Sequence, residues 1–202
     1  MRTLRCISVC IVISLLFFSC ATTSVSRIDA AQQTDISGYW NDTDVRLICN
    51  ALIEDCITSP RIERFAQENK RLPVFIIGRF KNDSSEHIDT SIIVKKMQTA
   101  ILNSGKAEFV ADSTSREEVR AEREDQNMGN ASEETAKALG NETGADFLLQ
   151  GSVKSMVQKA GNTTVRTYHV SADLINIETN RIIWSGFNDD IKKVIKTSDV
   201  KF

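Results

Sequence analysis

The sequence predicts an α/β protein with a mixed sheet, whose C-terminal part is an antiparallel meander of three strands. Three largely apolar runs, residues 146–157, 163–177 and 181–187, follow one another and are joined by two short polar links. In the middle run apolar and polar side chains alternate, and this period of two is typical of a strand with one buried face. The first link contains Gly161 and Asn162, which tolerate the positive φ of a hairpin turn.

Helices are predicted upstream of this meander, because three strands with one apolar face need a covering layer. Apolar residues recur at helical spacing between Val45 and Cys56, and Asn41 or Asp42 provides an N-cap. Pro60 then opens a short second helix. The predicted architecture is therefore a sheet with helices packed on its faces.

A strand, a helix and a second strand are predicted to follow. Residues 73–80 are almost continuously apolar, which favours an interior strand that is buried on both faces. Residues 89–104 carry one apolar stripe and precede Gly105, a residue that favours the left-handed conformation after a helix. Residues 108–111 fit a short strand, so the three elements form a right-handed βαβ crossover.

A highly charged helix is predicted next, from a capping box at residues 114–117 to about residue 127. Spacings of three and four residues place Arg116, Arg120 and Arg123 on one side of it. This side is a candidate partner-binding surface, and the alternative is a solvated face without a partner.

Two further segments complete the chain. Residues 132–135 are compatible with the start of another helix, which would end near Gly144. Lys192, Lys193 and Lys196 are predicted to form a basic tail of low complexity.

The N-terminal segment has the layout of an export signal. Residues 1–19 begin with Arg2 and Arg5, and the apolar run that follows is roughly 13 residues long, against the ~20 that a membrane-spanning helix needs. A small residue before Cys20 resembles a bacterial lipobox, which implies lipidation of Cys20 and attachment to a membrane through acyl chains. The alternative is an ordinary signal peptide with a coincidental cysteine.

The predicted domain organisation follows from this segment. Residues 1–19 are a signal peptide, and residues 20–37 are a lipidated tether that is rich in Thr, Ser, Gln and Ala and lacks periodicity. Residues 38–202 form a single globular α/β domain.

Composition and motifs favour a binding role over an enzymatic one. The formal net charge is −2, and no basic stripe indicates nucleic acid as a partner. His87 and His169 have no ligand-type residues at metal-binding spacing, and Cys49 and Cys56 are predicted to be small buried apolar residues. No nucleophile motif, P-loop or dinucleotide fingerprint is present, so we predict no catalytic residue, no metal and no cofactor.

Tyr39 and Trp40 form a second candidate partner-binding surface, just before the first helix. Trp, Tyr and Arg dominate interface hot spots, so exposed aromatic residues at this position would indicate partner binding. The alternative is a hydrophobic staple that packs the incoming chain against the first helix.

Several stretches taken together resemble the penicillin-binding-protein activator family of LpoB. They are YWNDTDVRL (39–47), FKN (80–82), EHIDT (86–90), NSG (103–105), FVAD (109–112), EVRAEREDQ (118–126), SEETAKALG (132–140), GADFLLQG (144–151) and LINIET (174–179). The match is collinear and spans roughly residues 39–195. The resemblance implies a fold like the N-terminal domain of TolB.

The resemblance also implies a function. It indicates a lipoprotein of the outer membrane that faces the periplasm, docks on a bifunctional, class A penicillin-binding protein and stimulates peptidoglycan synthesis. The alternatives are a structural or assembly lipoprotein of another envelope complex, with no effect on any enzyme, and a periplasmic hydrolase. The tether, at about 17 residues, is shorter than that of the enterobacterial member, which leaves the anchoring membrane open.

Overall fold

A computed structural model describes residues 25–29, 32–33 and 35–198 of the chain. The chain divides into a unit of residues 1–32 and a unit of residues 33–202, and all helices and strands described lie in the second. The predicted signal segment, Cys20 and the start of the predicted tether fall outside the described residues. Where the chain is described, no helix has both the length and the apolar character needed to cross a bilayer.

The described residues form four α-helices and six strands. The helices are α1 (Asp42–Ile57), α2 (Pro60–Asn69), α3 (Thr90–Ser104) and α4 (Ser113–Asp125), and a π-helical turn (Gln126–Asn130) extends α4. The strands are β1 (Val74–Asn82), β2 (Glu108–Phe109), β3 (Phe147–Ala160), β4 (Thr163–Asn176), β5 (Ile182–Asn188) and β6 (Lys192–Lys196).

The six strands make one mixed sheet, as predicted. The order is β2-β1-β3-β4-β5, and β6 pairs with the first part of β4 beside β5. β1 runs parallel to β2 and to β3, whereas the remaining pairs are antiparallel. The meander of β3, β4 and β5 and the strand–helix–strand crossover through α3 are therefore both confirmed. Gly161 adopts a φ of +55° at the β3–β4 turn.

The core lies between one face of the sheet and helices α1, α2 and α3. Tyr168, Val170, Ala172 and Leu174, the predicted apolar side of β4, are completely buried in it. The predicted apolar stripe of α1 is buried there too. The opposite face of β3 and β4 carries mostly polar side chains and is not covered by these helices.

This one-sided burial changes the prediction for β1. The strand is interior in the sheet, but Ile76 and Ile77 are half-buried rather than fully buried. The helical layer covers one face only, which explains the exposure of Ile76 on the outward face beside Leu148; Ile77 lies on the helix side beside the buried Leu149, just before the register shift in β1. Phe80, at the end of β1, turns inward and its ring lies where a side chain at position 151 would stand, so this position requires Gly151.

Helix caps follow the sequence in most places. Asn41 and Asp44 form a reciprocal capping box at α1, and Asp89 caps α3, which ends at Gly105 with a φ of +66°. The predicted capping box at residues 114–117 is wrong, because Asp112 accepts from the backbone N–H of Ser115 and starts α4 at Ser113.

Three further predictions are corrected. Residues 131–145 form no helix; they are a loop with turns at residues 133–135 and 139–140. The β2 strand has two residues rather than four. The predicted basic tail is instead strand β6, which pairs with β4 in regular antiparallel register.

Candidate partner-binding surfaces

Trp40 packs into the domain rather than standing free. Its ring makes an edge contact with Tyr168, with centroids 5.1 Å apart, and its backbone N–H donates to Glu86 at 3.1 Å. Trp40 therefore packs on Tyr168 of β4 and against the hydrophobic core. Tyr39 is 56% exposed, and the guanidinium of Arg166 lies 4.2 Å from its ring centroid.

Glu86 is the acidic centre of this region. Its carboxylate accepts from the Tyr168 hydroxyl at 2.7 Å and lies 3.2 Å from Nε of Arg166, and both charged side chains are about nine-tenths buried. The Arg166 Nε forms an ion pair here without hydrogen-bond geometry, while its Nη1 donates to the carbonyl of Gly38. Burial, and then the bond to Glu86, raise the pKa of Tyr168 above its ordinary value.

Lys193 of β6, the cross-strand partner of Arg166, holds the same segment. Its ammonium donates to the carbonyl of Tyr39 at 2.8 Å and pairs with Asp44 at 2.6 Å and with Asp35 at 3.0 Å. Burial raises the pKa of the Asp44 carboxyl, and the bond to Lys193 opposes that shift. Residues 35–40, hereafter the entry segment, are thus fastened to β4 and β6.

Sequence reasoning missed Glu86, Arg166 and Lys193, although each is central here. All three belong to polar stretches of the chain and meet only through the fold, across sequence separations as large as 154 residues. The sequence of β6, KKVIK at residues 192–196, shows no apolar–polar alternation, so no local pattern marked Lys193 as an inward residue of a strand.

Two of the three arginines on the predicted binding side of α4 are bound to Glu142 of the same chain. Nε and Nη2 of Arg120 each donate to a different oxygen of Glu142 at 2.8 Å, and Nη1 of Arg123 donates at 3.3 Å. The bond from Arg120 lowers the pKa of Glu142 below its ordinary value. These contacts fasten the loop of residues 131–145 to α4, so Arg120 and Arg123 already have a structural task.

Arg116 lines a cleft of about 240 Å³ between α4 and residues 141–143. Its Nε is enclosed and has no hydrogen-bond partner among the described residues. Val110 and Val119 contribute apolar walls. Of the three arginines predicted as a binding surface, Arg116 keeps the most donor capacity for an acidic group of a partner.

Metal and thiol chemistry find no support in the described part of the chain. No group of three or more His, Cys, Asp or Glu side chains there is arranged to hold a metal ion. Cys49 and Cys56 are free and buried, and burial raises their pKa values to about 11 and about 12, so the reactive thiolate is disfavoured. His169 stacks on Phe187 at 5.9 Å.

The fold defines a small α/β domain with a mixed sheet and helices on one face. The family model described as peptidoglycan-synthase activator LpoB matches residues 44–189, from the first turn of α1 to just past β5. The chain belongs to the LpoB family of peptidoglycan-synthase activators. No curated protein sequence matches it.

The chain is also similar to several solved structures. The C-terminal domain of LpoB from Salmonella enterica is 17% identical over 71% of this chain and 98% of that one, with a TM-score of 0.33. The same domain from Escherichia coli is 15% identical over 70% of this chain and 96% of that one, with a TM-score of 0.38. Lipoprotein GNA1162 from Neisseria meningitidis is 17% identical over 63% of this chain and 88% of that one, with a TM-score of 0.38.

Proposed function

We propose that this protein is an envelope lipoprotein that binds a bifunctional, class A penicillin-binding protein and raises its rate of peptidoglycan synthesis. The observation that carries the proposal is the family match over residues 44–189, because it includes the helices and strands that build the core. In this function the protein performs no chemistry itself and acts by touching the synthase.

The anchored form of the protein is part of the proposal. Acyl chains on Cys20 hold it at the outer membrane, facing the periplasm, and two or three chains are enough for stable attachment. The entry segment is fastened by Arg166 and Lys193, which favours a tether that ends near Asp35. From Cys20 such a tether reaches at most about 50 Å when fully extended.

A glycan-polymerisation assay tests the proposal. Each class A synthase of the source organism is assayed with and without the protein, and the matched control is the same protein after heat denaturation. We expect a higher polymerisation rate with one synthase and direct binding to it. Unchanged rates and no binding with every synthase would contradict the proposal.

A pulldown from detergent-solubilised membranes separates this function from an assembly role. Recovery of a class A synthase supports activation. Recovery of secretion or transport components without any synthase would instead favour a structural subunit of another envelope complex.

A further inference from the structure

The last part of β3 (residues 154–160), the first part of β4 (residues 163–167) and β6 form a three-stranded ribbon at one end of the sheet, where β1 and β5 do not reach. β1 pairs with β3 only as far as the partners Asn82 and Val153. Beyond that point residues 154–160 pair with β4 on one side, and no described strand pairs with them on the other. β6 lies outside residues 44–189, so one of the three strands of this ribbon is not covered by the family match.

One face of the ribbon points away from the helices. Val153 and Tyr168 are fully buried, and because side chains alternate along a strand, Lys154, Met156 and Val165 point to the opposite face. Residues directly opposite each other in an antiparallel pair share a face. The register therefore adds the partners across the ribbon, which are Thr167 with Lys192, Val165 with Val194, and Thr163 with Lys196.

This surface, hereafter the ribbon face, combines an apolar strip with unpaired positive charge. Met156 and Val194 are 52% and 56% exposed, and Val165 between their strands is half-buried. Three lysines lie around the strip, all of them exposed and without an ion-pair or hydrogen-bond partner in the described part of the chain. They are Lys154, Lys192 and Lys196.

The contrast with Lys193 shows that this charge is not used inside the domain. Lys193 points to the helix side and binds three oxygens, from Asp35, Tyr39 and Asp44. Among the described strand residues on the outward side of β3, β4, β5 and β6, the one acid is Asp173. It lies beyond the ribbon, where it accepts from the Ser185 hydroxyl at 2.6 Å.

We propose that the ribbon face docks on an acidic, partly apolar surface of the synthase that this protein activates. The inference rests on the proposed function and names the surface through which it operates. Charge complementarity supplies the partner chemistry, since three unpaired lysines attract carboxylates and speed the encounter. The unpaired edge of residues 154–160 offers backbone groups to a partner strand.

A protein fits this surface better than a lipid bilayer does. Peripheral membrane anchors typically place Trp, Phe or Leu side chains of an amphipathic helix into the interface. The ribbon face instead presents Met and Val side chains on β-strands. An acidic protein surface is thus the occupant that the geometry favours.

The test compares two triple variants of the full-length protein, purified in detergent. One replaces the ribbon lysines, K154E/K192E/K196E. The control, K95E/K106E/K137E, makes the same change in charge at exposed lysines on α3, after α3 and in the loop after α4. Affinity for the synthase is measured at low and high salt, with glycan polymerisation in parallel.

We expect at least a tenfold weaker affinity for the ribbon variant, with a flatter salt dependence, and less than a threefold change for the control. If charge reversal disturbs folding, as judged by circular dichroism and urea unfolding, K154Q/K192Q/K196Q replaces it, with an expected loss of about threefold or more. Wild-type affinity in a folded ribbon variant would overturn the inference while leaving the proposed function intact. If the wild type bound no synthase, the proposed function would fall first.

Hydrogen exchange of the wild type in nanodiscs distinguishes docking on the synthase from binding to a lipid surface. We expect slower exchange in residues 154–167 and 192–196 on adding the synthase, in discs of neutral lipid. Protection of these residues by anionic lipid alone, unchanged on adding synthase, would overturn the inference.

Discussion

Glu86 ties three distant parts of the chain together. It accepts from the hydroxyl of Tyr168 and the backbone of Trp40, and it balances the buried charge of Arg166. Removing one member of a buried ion pair leaves the other charge uncompensated, which costs roughly 3–5 kcal/mol. We therefore expect Glu86→Ala to lower the free energy of unfolding by about 3 kcal/mol, measured by urea denaturation.

The control for this variant is Glu178→Ala, at an exposed turn position between β4 and β5. It should shift the unfolding free energy by less than ~0.5 kcal/mol. Equal stability of the two variants would show that the Glu86 cluster contributes nothing to the fold.

Asp146 makes stability depend on pH. Burial acts to raise the pKa of its carboxyl, but the bonds from Arg71, at 2.6 and 2.7 Å, and from the backbone N–H of Val74 outweigh it, so the pKa is lowered. An acid with a lowered folded-state pKa contributes stability above its unfolded value, near 3.9, and loses it as pH falls through the folded value.

We expect Asp146→Asn to be less stable than the wild type by about 1 kcal/mol at pH 7, a modest figure because Arg71 is half exposed. This difference should vanish as the pH falls towards 2, as followed by urea unfolding at several pH values. A difference that stays constant with pH would rule out the carboxylate as its source.

At the scale of elements, Glu142 fastens the second half of the loop of residues 131–145 to α4, while the backbone of Lys137 bonds to the side chains of Gln126 and Asn127 in the turn after α4. The ion pairs of Glu142 with Arg120 and Arg123 lie near the surface, where solvent screening leaves a single ion pair only a small share of the global stability. We expect Glu142→Gln to speed hydrogen exchange in residues 131–145 while the midpoint of global urea unfolding barely moves.

Glu124→Gln, on α4 but without a described bond to this loop, is the matched control and should leave exchange there unchanged. Equal exchange in both variants would mean that other contacts hold the loop.

The predictions for elements failed where tertiary contacts outweigh local pattern. Residues 132–144 have helical composition, but Gly140 takes a φ of +74° and Glu142 is bound to the α4 arginines, so the chain runs as a loop. β6 has the composition of a tail, yet backbone pairing with β4 and the inward position of Lys193 make it a strand. Neither partner is adjacent in sequence, so local reasoning could not weigh it.

At the scale of the whole molecule, the lipid anchor remains a prediction that stands on Cys20. The thiol is the acceptor that a lipobox provides, so Cys20→Ala should leave the protein unlipidated and soluble after cell fractionation. Metabolic labelling with radioactive palmitate checks this. Label that persists on the variant, or a variant that still sediments with membranes, would count against Cys20 as the anchor.

The sequence by itself determined the mixed α/β architecture, the three-strand meander, the core stripe of α1 and membership of the LpoB family. The first three of these features depend on the alternation of apolar residues and on caps, both of which act between near neighbours. Family membership depends instead on the collinear resemblance of stretches between residues 39 and 195, which the family match over residues 44–189 confirms. Only the tertiary structure decided that Trp40 packs on Tyr168, that Glu142 occupies the arginines, and that β6 completes the ribbon face. Each of these depends on side chains brought together by the sheet, which no local pattern encodes.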